Sequence, residues 1–315
     1  MKKYLFISIL SLLTIVVAAQ KEVYLFCYFI GNGQDGLHLA SSKDGLTWQA
    51  MNDGKSYLAP QIGKDKLMRD PCILCGPDGI FHMVWTSGWW DKGIGYASSK
   101  DLITWSEQKN LPVMEKEPEA KNSWAPEVSY DAKKKEYFIF WATTIPGRHT
   151  PIAYTEKEKD LNHRIYCVTT KDFKTFSETR MFFNPSFSAI DATIIQKEKT
   201  FYMILKNENP NPPEKNIRIT KSQNAEGPYP VEVSAPITGN YWAEGPSALQ
   251  VDDYVYVYFD KYRNHKYGAV RSKDMVTWED VSDQVFFPQG VRHGTAFKVS
   301  KKLFDKLVNK GSGVK

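Results

Sequence analysis

The phrase SSKDGLTW at 41–48 returns as SSKDLITW at 98–105, TTKDFKTF at 169–176 and RSKDMVTW at 271–278. A repeat of this kind constrains a chain more than any composition can, because each unit must be one piece of a larger array. Ahead of each copy lies a short strand-like run: DGLHLA, KGIGYA, RIYCV or KYGAV. Ahead of that lies a second run, richer in aromatics: EVYLFCYF, GIFHMVWT, EYFIFWAT or DYVYVYFD. A looser fifth set reads TFYMILK, NIRIT and KSQNAEGPY, so the units recur about every 50 to 70 residues. Helical spacing is scarce outside the tail. Within the phrase, Ser/Thr-Lys-Asp is turn chemistry: Asp bonds local backbone and Lys stays in solvent. The closing Trp or Phe then begins an outermost strand and packs on its own unit.

A further strand opens most units, and here the counts disagree. First strands occur at 68–75 (MRDPCILC), 123–130 (SWAPEVSY), 189–196 (AIDATIIQ), 242–249 (WAEGPSAL) and 292–299 (RHGTAFKV). The earliest second strand, EVYLFCYF, has no first strand ahead of it, and RHGTAFKV has no outer strands after it. A circle removes both shortages. Residues 21–50 supply the outer strands of the blade whose inner strand is 292–299, giving an all-β, five-bladed β-propeller closed by its two ends. Closure also protects sheet edges. A pair of β-sandwiches would leave the mismatch unexplained.

The first residues stand apart from this pattern. MKKYLFISILSLLTIVVAAQ has two lysines, an apolar run of 14 residues from Tyr4 to Val17, and the small pair Ala18 and Ala19. That is the layout of a secretory signal peptide over 1–19, cleaved near Gln20, and it leaves 20–315 as a single domain. The run falls short of the roughly 20 residues that span a bilayer, so no membrane anchor is expected in the mature chain. The expected destination is the periplasm or the exterior. Loss of Lys2 and Lys3 lowers the formal charge by two, from +5 to +3, with basic and acidic residues interspersed, and nothing calls for nucleic acid. Cys72 and Cys75 form a C-x-x-C inside a strand, where residues three apart face opposite ways. With no second pair to complete a metal site, buried free thiols are expected.

If the repeated phrase marks the rim, the five first strands line the axis. They carry Asp70, Glu127, Asp191, Glu244 and His293. Carboxylates are costly to bury together unless neutralised or used. Converging acids serve metal binding or acid–base work at a glycosidic bond. No calcium-loop motif is visible, and 9 Trp, 17 Tyr and 17 Phe favour a sugar partner that stacks on rings.

At this point the chain resembles glycoside hydrolase family 43, over about residues 22–300, on MRDP (68–71), SWAPE (123–127), AID (189–191), AEGP (243–246) and RHGT (292–295). The family comprises exported five-bladed propellers that remove arabinose, xylose or related sugars from plant polysaccharides. The resemblance implies Asp70 as general base, Glu244 as general acid, and Asp191 as the group that orients the acid and raises its pKa. Inversion further needs carboxyls about 6.5–9.5 Å apart, with room for a water. Many members have proline after the middle aspartate, where this chain has Ala192. Glu127 fits a structural or pocket-lining acid. His293 matches a histidine that in many members faces the axis near a bound calcium or water; a satisfied core histidine is the other reading. No other cofactor is implied. Arg292 reads as a substrate contact or a salt bridge.

For the sugar platform the candidates are Trp124 and Trp242, which flank motif acids, and Trp89 and Trp90 in the loop-like SGWWDKG. The reading that results is an inverting, exo-acting glycosidase releasing L-arabinofuranose or D-xylose from plant-type oligosaccharides or polysaccharides. Galactan is an alternative substrate. A non-catalytic carbohydrate-binding propeller is the second reading. A fructosidase akin to family 32 is the third, since R-D-P also occurs there, although W-M-N-D-P-N-G is missing here.

Overall fold

The computed structural model describes residues 22–311, with side chains through residue 309. The expected signal peptide therefore lies outside the described residues. In chain order the strands are β1 (Glu22–Tyr28), β2 (His38–Ser42), β3 (Gln49–Ala50), β4 (Arg69–Cys75), β5 (Phe81–Thr86), β6 (Ile94–Ser99) and β7 (Lys109–Leu111). There follow β8 (Trp124–Asp131), β9 (Glu136–Thr144), β10 (His163–Thr170), β11 (Arg180–Phe183), β12 (Ala189–Lys197), β13 (Thr200–Asn207) and β14 (Asn216–Ser222). The last are β15 (Glu244–Val251), β16 (Tyr254–Lys261), β17 (Lys266–Ser272), β18 (Glu279–Asp280) and β19 (Thr295–Ser300), before helix α1 (Lys301–Gly311).

These strands make five antiparallel sheets, ordered β4-β5-β6-β7, β8-β9-β10-β11, β12-β13-β14, β15-β16-β17-β18 and β19-β1-β2-β3. The last one closes the circle as the strand count required. β1 pairs with β19 in unbroken register from Glu22↔Ser300 to Cys27↔Thr295. The β12 sheet stops at three strands, and the loose KSQNAEGPY segment forms no outer strand there.

Five hydrophobic clusters fill the five seams between neighbouring blades. Val84, Trp141 and Phe173 sit between the β4 and β8 sheets, and Phe140, Ala189 and Leu205 between the β8 and β12 sheets. Ile204 meets Val257 in the next seam, Phe26 meets Tyr258 in the one after, and Leu25 meets Trp85 in the fifth. The tail is helical, and Leu303, Phe304 and Leu307 of α1 extend that fifth cluster. Among the described residues no helix is long and apolar enough to cross a membrane.

The repeated phrase is a turn that also plugs a seam. Asp44 Oδ1 accepts from the Leu46 and Thr47 amides, both at 2.8 Å, and Ser42 Oγ accepts from Gly45 N at 2.9 Å. Asp101, Asp172 and Asp274 repeat the pattern with their own following amides. The bonding holds the fifth position left-handed, at φ 72° in Gly45, 61° in Leu102, 54° in Phe173 and 63° in Met275. The last three side chains are buried. A left-handed conformation is costly for such residues, and the clamped amides together with burial hold it in place.

One expectation about cysteines needs correction. Cys27, Cys72 and Cys167 are buried free thiols, but Cys75 is exposed. The alternation that turns Cys72 inward turns Cys75 out at the strand end.

Candidate active site

Four inner strands share one irregularity. Their pairing with the second strand shifts at Arg69/Cys72, Trp124/Glu127, Ile190/Thr193 and Glu244/Ser247. Each bulge holds one left-handed residue: Asp70 (φ 50°), Ala125 (φ 46°), Asp191 (φ 52°) or Gly245 (φ 61°). Bulges re-aim side chains and recur beside active sites. Asp70 and Asp191 thus occupy equivalent places, whereas Glu244 stands one residue before its bulge and Glu127 two after. Ala192 in place of proline leaves the shape unchanged, since Asp191 and Asp70 differ by two degrees in φ.

Bulged residues leave amides without ladder partners, and buried amides need acceptors. The neighbouring blade supplies them. Thr86 Oγ1 accepts from Ala125 N at 2.8 Å and Asp191 Oδ2 from Gly245 N at 3.0 Å; in the unbulged strand β19, Ala296 N likewise donates to Ser247 Oγ at 2.8 Å. The acids are therefore stitched into the blade-to-blade contacts around the axis.

A cavity of about 220 Å³ opens among these strands. Asp70, Asp191 and Glu244 line it together, with Phe29, Arg69, Trp89, Trp124, Lys206, Glu208, Arg292 and His293 on the same wall. Trp124 stays in place through its indole N–H on the Trp89 carbonyl, 2.6 Å away. The Arg69 guanidinium lies 4.2 Å from the Trp89 ring centre and 4.7 Å from that of Phe29. Trp90 and Trp242 lie outside the lining. Trp90 is exposed and packs on Trp124, while Trp242 packs under Arg263 with its ring centre 4.1 Å from the guanidinium.

Electrostatics divides the acids. Burial favours a neutral Asp70, but His293 Nδ1 at 3.4 Å, Arg69 and the Thr86 hydroxyl at 2.9 Å together hold it below the usual carboxylate range. Burial pushes Asp191 up to about 6, with Glu244 and Asp70 adding like-charge repulsion and with His293 and Lys206 opposing. Glu244 moves the other way. Burial would raise it, yet Lys206 Nζ at 3.0 Å and Arg292 at 3.3 Å hold it low. The resemblance implied that Asp191 raises Glu244; here the raised member is Asp191, because Lys206 and Arg292 both pair with Glu244. Arg292 lines the cavity and bonds Asp260 Oδ2 at 2.6 Å, the salt bridge that was one of its two expected readings.

Glu127 stands apart from the cavity. Its two oxygens accept from Thr193 Oγ1 at 3.1 Å and Thr295 Oγ1 at 3.2 Å, so it clasps three blades, and burial pushes its carboxyl up to about 7. His293 is buried, which disfavours its charged form, yet Asp70, Asp191 and Glu127 outweigh this and push it up to about 9. Calcium takes six to eight oxygens, whereas the nearby carboxylates are already engaged by His293 and by threonines. Among the described residues no group of three or more His, Cys, Asp or Glu is placed to hold a metal. At the axis His293 has a protein partner in Asp70, whose Oδ1 lies 3.4 Å from its Nδ1.

Sequence reasoning missed Lys206, Glu208 and Asp260. For Lys206 and Asp260 the signal was available in TFYMILKN and YVYVYFDK, where charge appears at the end of an otherwise apolar strand.

Residues 20–305 match the family model of a probable glycosyl hydrolase domain related to glycoside hydrolase family 43, and the chain belongs to that family. It is a glycoside hydrolase family member of five-bladed propeller fold. A stretch of 116 residues, 35% of this chain, is 27% identical to an α-L-arabinofuranosidase of Bifidobacterium longum subsp. longum, and it spans only 11% of that protein. The fold is similar to the crystal structure of an α-L-arabinofuranosidase from Lactobacillus brevis, with TM-score 0.53, 17% identity, and 68% and 72% of the two chains covered. It is also similar to an exo-β-1,3-galactanase from Clostridium thermocellum, with TM-score 0.51, 16% identity, and 68% and 48% covered.

Proposed function

We propose that the chain is an exported, inverting, exo-acting glycosidase that releases L-arabinofuranose, or D-xylose, from plant-type glycans. The observation that carries this reading is the meeting of Asp70, Asp191 and Glu244 on one small cavity beside Trp89 and Trp124. Asp70, kept ionised, takes a proton from the attacking water. Glu244 protonates the leaving oxygen. Asp191, bonded to the amide next to Glu244, fixes the backbone that carries the acid. At about 220 Å³ the cavity is smaller than sites for larger ligands, about 300–1,000 Å³. That favours a single terminal sugar over an internal segment of a chain. Export rests on the leader-like layout of residues 1–19.

A panel of aryl arabinofuranosides, xylosides and galactosides with Asp70→Ala and Glu244→Ala tests the reading. Both variants should fold and lose hydrolysis. An activated leaving group should partly restore the Glu244 variant, because it needs less protonation. Binding without turnover across the panel would favour a carbohydrate-binding propeller, and hydrolysis of sucrose or inulin a fructosidase. A first product of retained configuration by NMR would defeat inversion.

A further inference from the structure

The aromatic wall of the cavity continues past its lining. Trp89 and Trp124 line it with ring centres 5.8 Å apart, and Trp90, outside the lining, packs on Trp124 at 5.6 Å. The three rings form one patch, but their faces are not equally free. Trp89 carries the Arg69 guanidinium 4.2 Å from its ring centre. Trp124 is shared among Trp89, Trp90 and His163, whose ring centre is 4.9 Å away. Trp242 is taken by Arg263 at 4.1 Å and Lys215 at 5.8 Å. Among the described residues Trp90 has Trp124 as its one ring neighbour and no cation over it, and it is 56% exposed.

Scattered exposed apolar residues are ordinary, whereas an exposed patch continuous with a ligand cavity marks a binding surface. This patch is also held still. In the loop between β5 and β6, Asp65 Oδ2 accepts from Trp89 N at 3.0 Å. Asp91 Oδ2 accepts from Ser87 Oγ at 2.8 Å and from Lys64 N at 3.1 Å. The Lys92 carbonyl accepts from Met114 N and from Ser123 Oγ, both at 3.0 Å. The loop packs closely as well: an added Cβ on Gly63 would lie 2.6 Å from Ser87 Cβ, and one on Gly88 2.7 Å from Asp91 Oδ2. A loop fixed in this way loses little freedom when a ligand settles on it, so the free indole face is preorganised.

On the glycosidase reading the cavity, at about 220 Å³, takes one terminal sugar, so what reaches past it is the leaving group. A sugar ring turns a face of C–H groups to an indole, and their contact removes apolar surface of both from water. We propose that Trp90 is the platform for the first sugar of the leaving group. It thereby selects substrates whose terminal sugar is carried by another sugar over those in which a ringless alcohol carries it. The inference rests on the glycosidase reading and adds the leaving-group class to it. The part of Trp90 is specificity, since it stands outside the wall that carries Asp70 and Glu244.

The test uses the full chain and substrate pairs that share a terminal sugar: methyl arabinofuranoside with arabinobiose, methyl xyloside with xylobiose, and methyl galactoside with galactobiose. Within a pair both leaving groups are alcohols that need the acid's proton, and only the disaccharide has a ring to lay on Trp90. For each pair that wild type cleaves, kcat/KM on the disaccharide is divided by kcat/KM on the methyl glycoside. This ratio should fall about tenfold or more in Trp90→Ala, mainly through KM, and stay within about twofold of wild type in Trp90→Phe, which keeps a ring. An unmoved ratio in Trp90→Ala, with both substrates losing equally, would overturn the proposal and leave Trp90 a prop for Trp124. Calorimetric titration in the Asp70→Ala background, which holds substrate uncleaved, gives a second reading that needs no turnover. Adding Trp90→Ala there should weaken disaccharide binding about tenfold and methyl glycoside binding far less. Equal disaccharide affinities with and without Trp90, or no disaccharide binding at all, overturn the platform. If wild type cleaves none of the pairs, the glycosidase reading fails, while the titration still decides whether a second sugar sits on Trp90.

Discussion

Replacing Gly245 by alanine should damage both stability and turnover, and by different routes. Gly245 is left-handed at φ 61°, which costs an L-residue about 1–2 kcal/mol. An added Cβ would also lie 2.5 Å from His293 Cγ and 2.7 Å from His293 Cβ. That is about an ångström inside optimal carbon contact. His293 is buried and pairs with Asp70, so overpacking adds about 1–3 kcal/mol. Gly79→Ala is the control, because Gly79 is also left-handed at φ 76° but an added Cβ would meet nothing within 4 Å. For a chain of this size each kcal/mol shifts Tm by about 2–4 °C. The expected Tm loss is therefore about 4–20 °C for Gly245→Ala and about 2–8 °C for Gly79→Ala, read by calorimetry. Moving the ring about 1 Å against Asp70 should lower kcat by about 100-fold, while Gly79→Ala keeps wild-type kcat. Equal Tm losses together with an unchanged kcat for Gly245→Ala would refute the packing argument.

Two further outcomes follow from burial. Glu127 titrates at about 7 in the fold against 4.5 for an exposed glutamate, so its neutral form stabilises the fold fully below pH 4.5 and that contribution is lost as pH rises through about 7. Glu127→Gln should flatten the Tm curve across this window, by at most about 3 kcal/mol; wild-type and variant curves running parallel would contradict it. Of the four cysteines, one thiol should react with an aromatic disulfide reagent in the native protein and all four after denaturation. Protection of Cys75, or fast reaction of Cys72, would reverse the assigned strand faces.

The circle was legible because it is a matter of counting. EVYLFCYF lacked a first strand and RHGTAFKV lacked outer strands, and β1 pairs with β19. The turn was legible because Asp44 and its counterparts bond amides two and three residues away, a distance a short phrase contains. The three acids were legible as motif members. Less so was their unequal placement about the bulges, since register against a second strand is not written in one strand alone. Lys206 was hidden for a related reason. Its partner Glu244 lies 38 residues away on another blade, and only the closed ring brings them together. The direction of the Glu244 shift depended on that lysine, so it was hidden with it.

The pairing of β1 with β19 has a consequence for how the molecule comes into being. The cavity draws its wall from Phe29 near the start of the fold to His293 near its end. Asp70, on the first complete blade, meets its imidazole partner only after nearly the whole chain has been synthesised. No ribosomal intermediate short of that point owns a working pocket, and neither does a prematurely terminated product. The cavity is thus complete only once both ends of the ring have met.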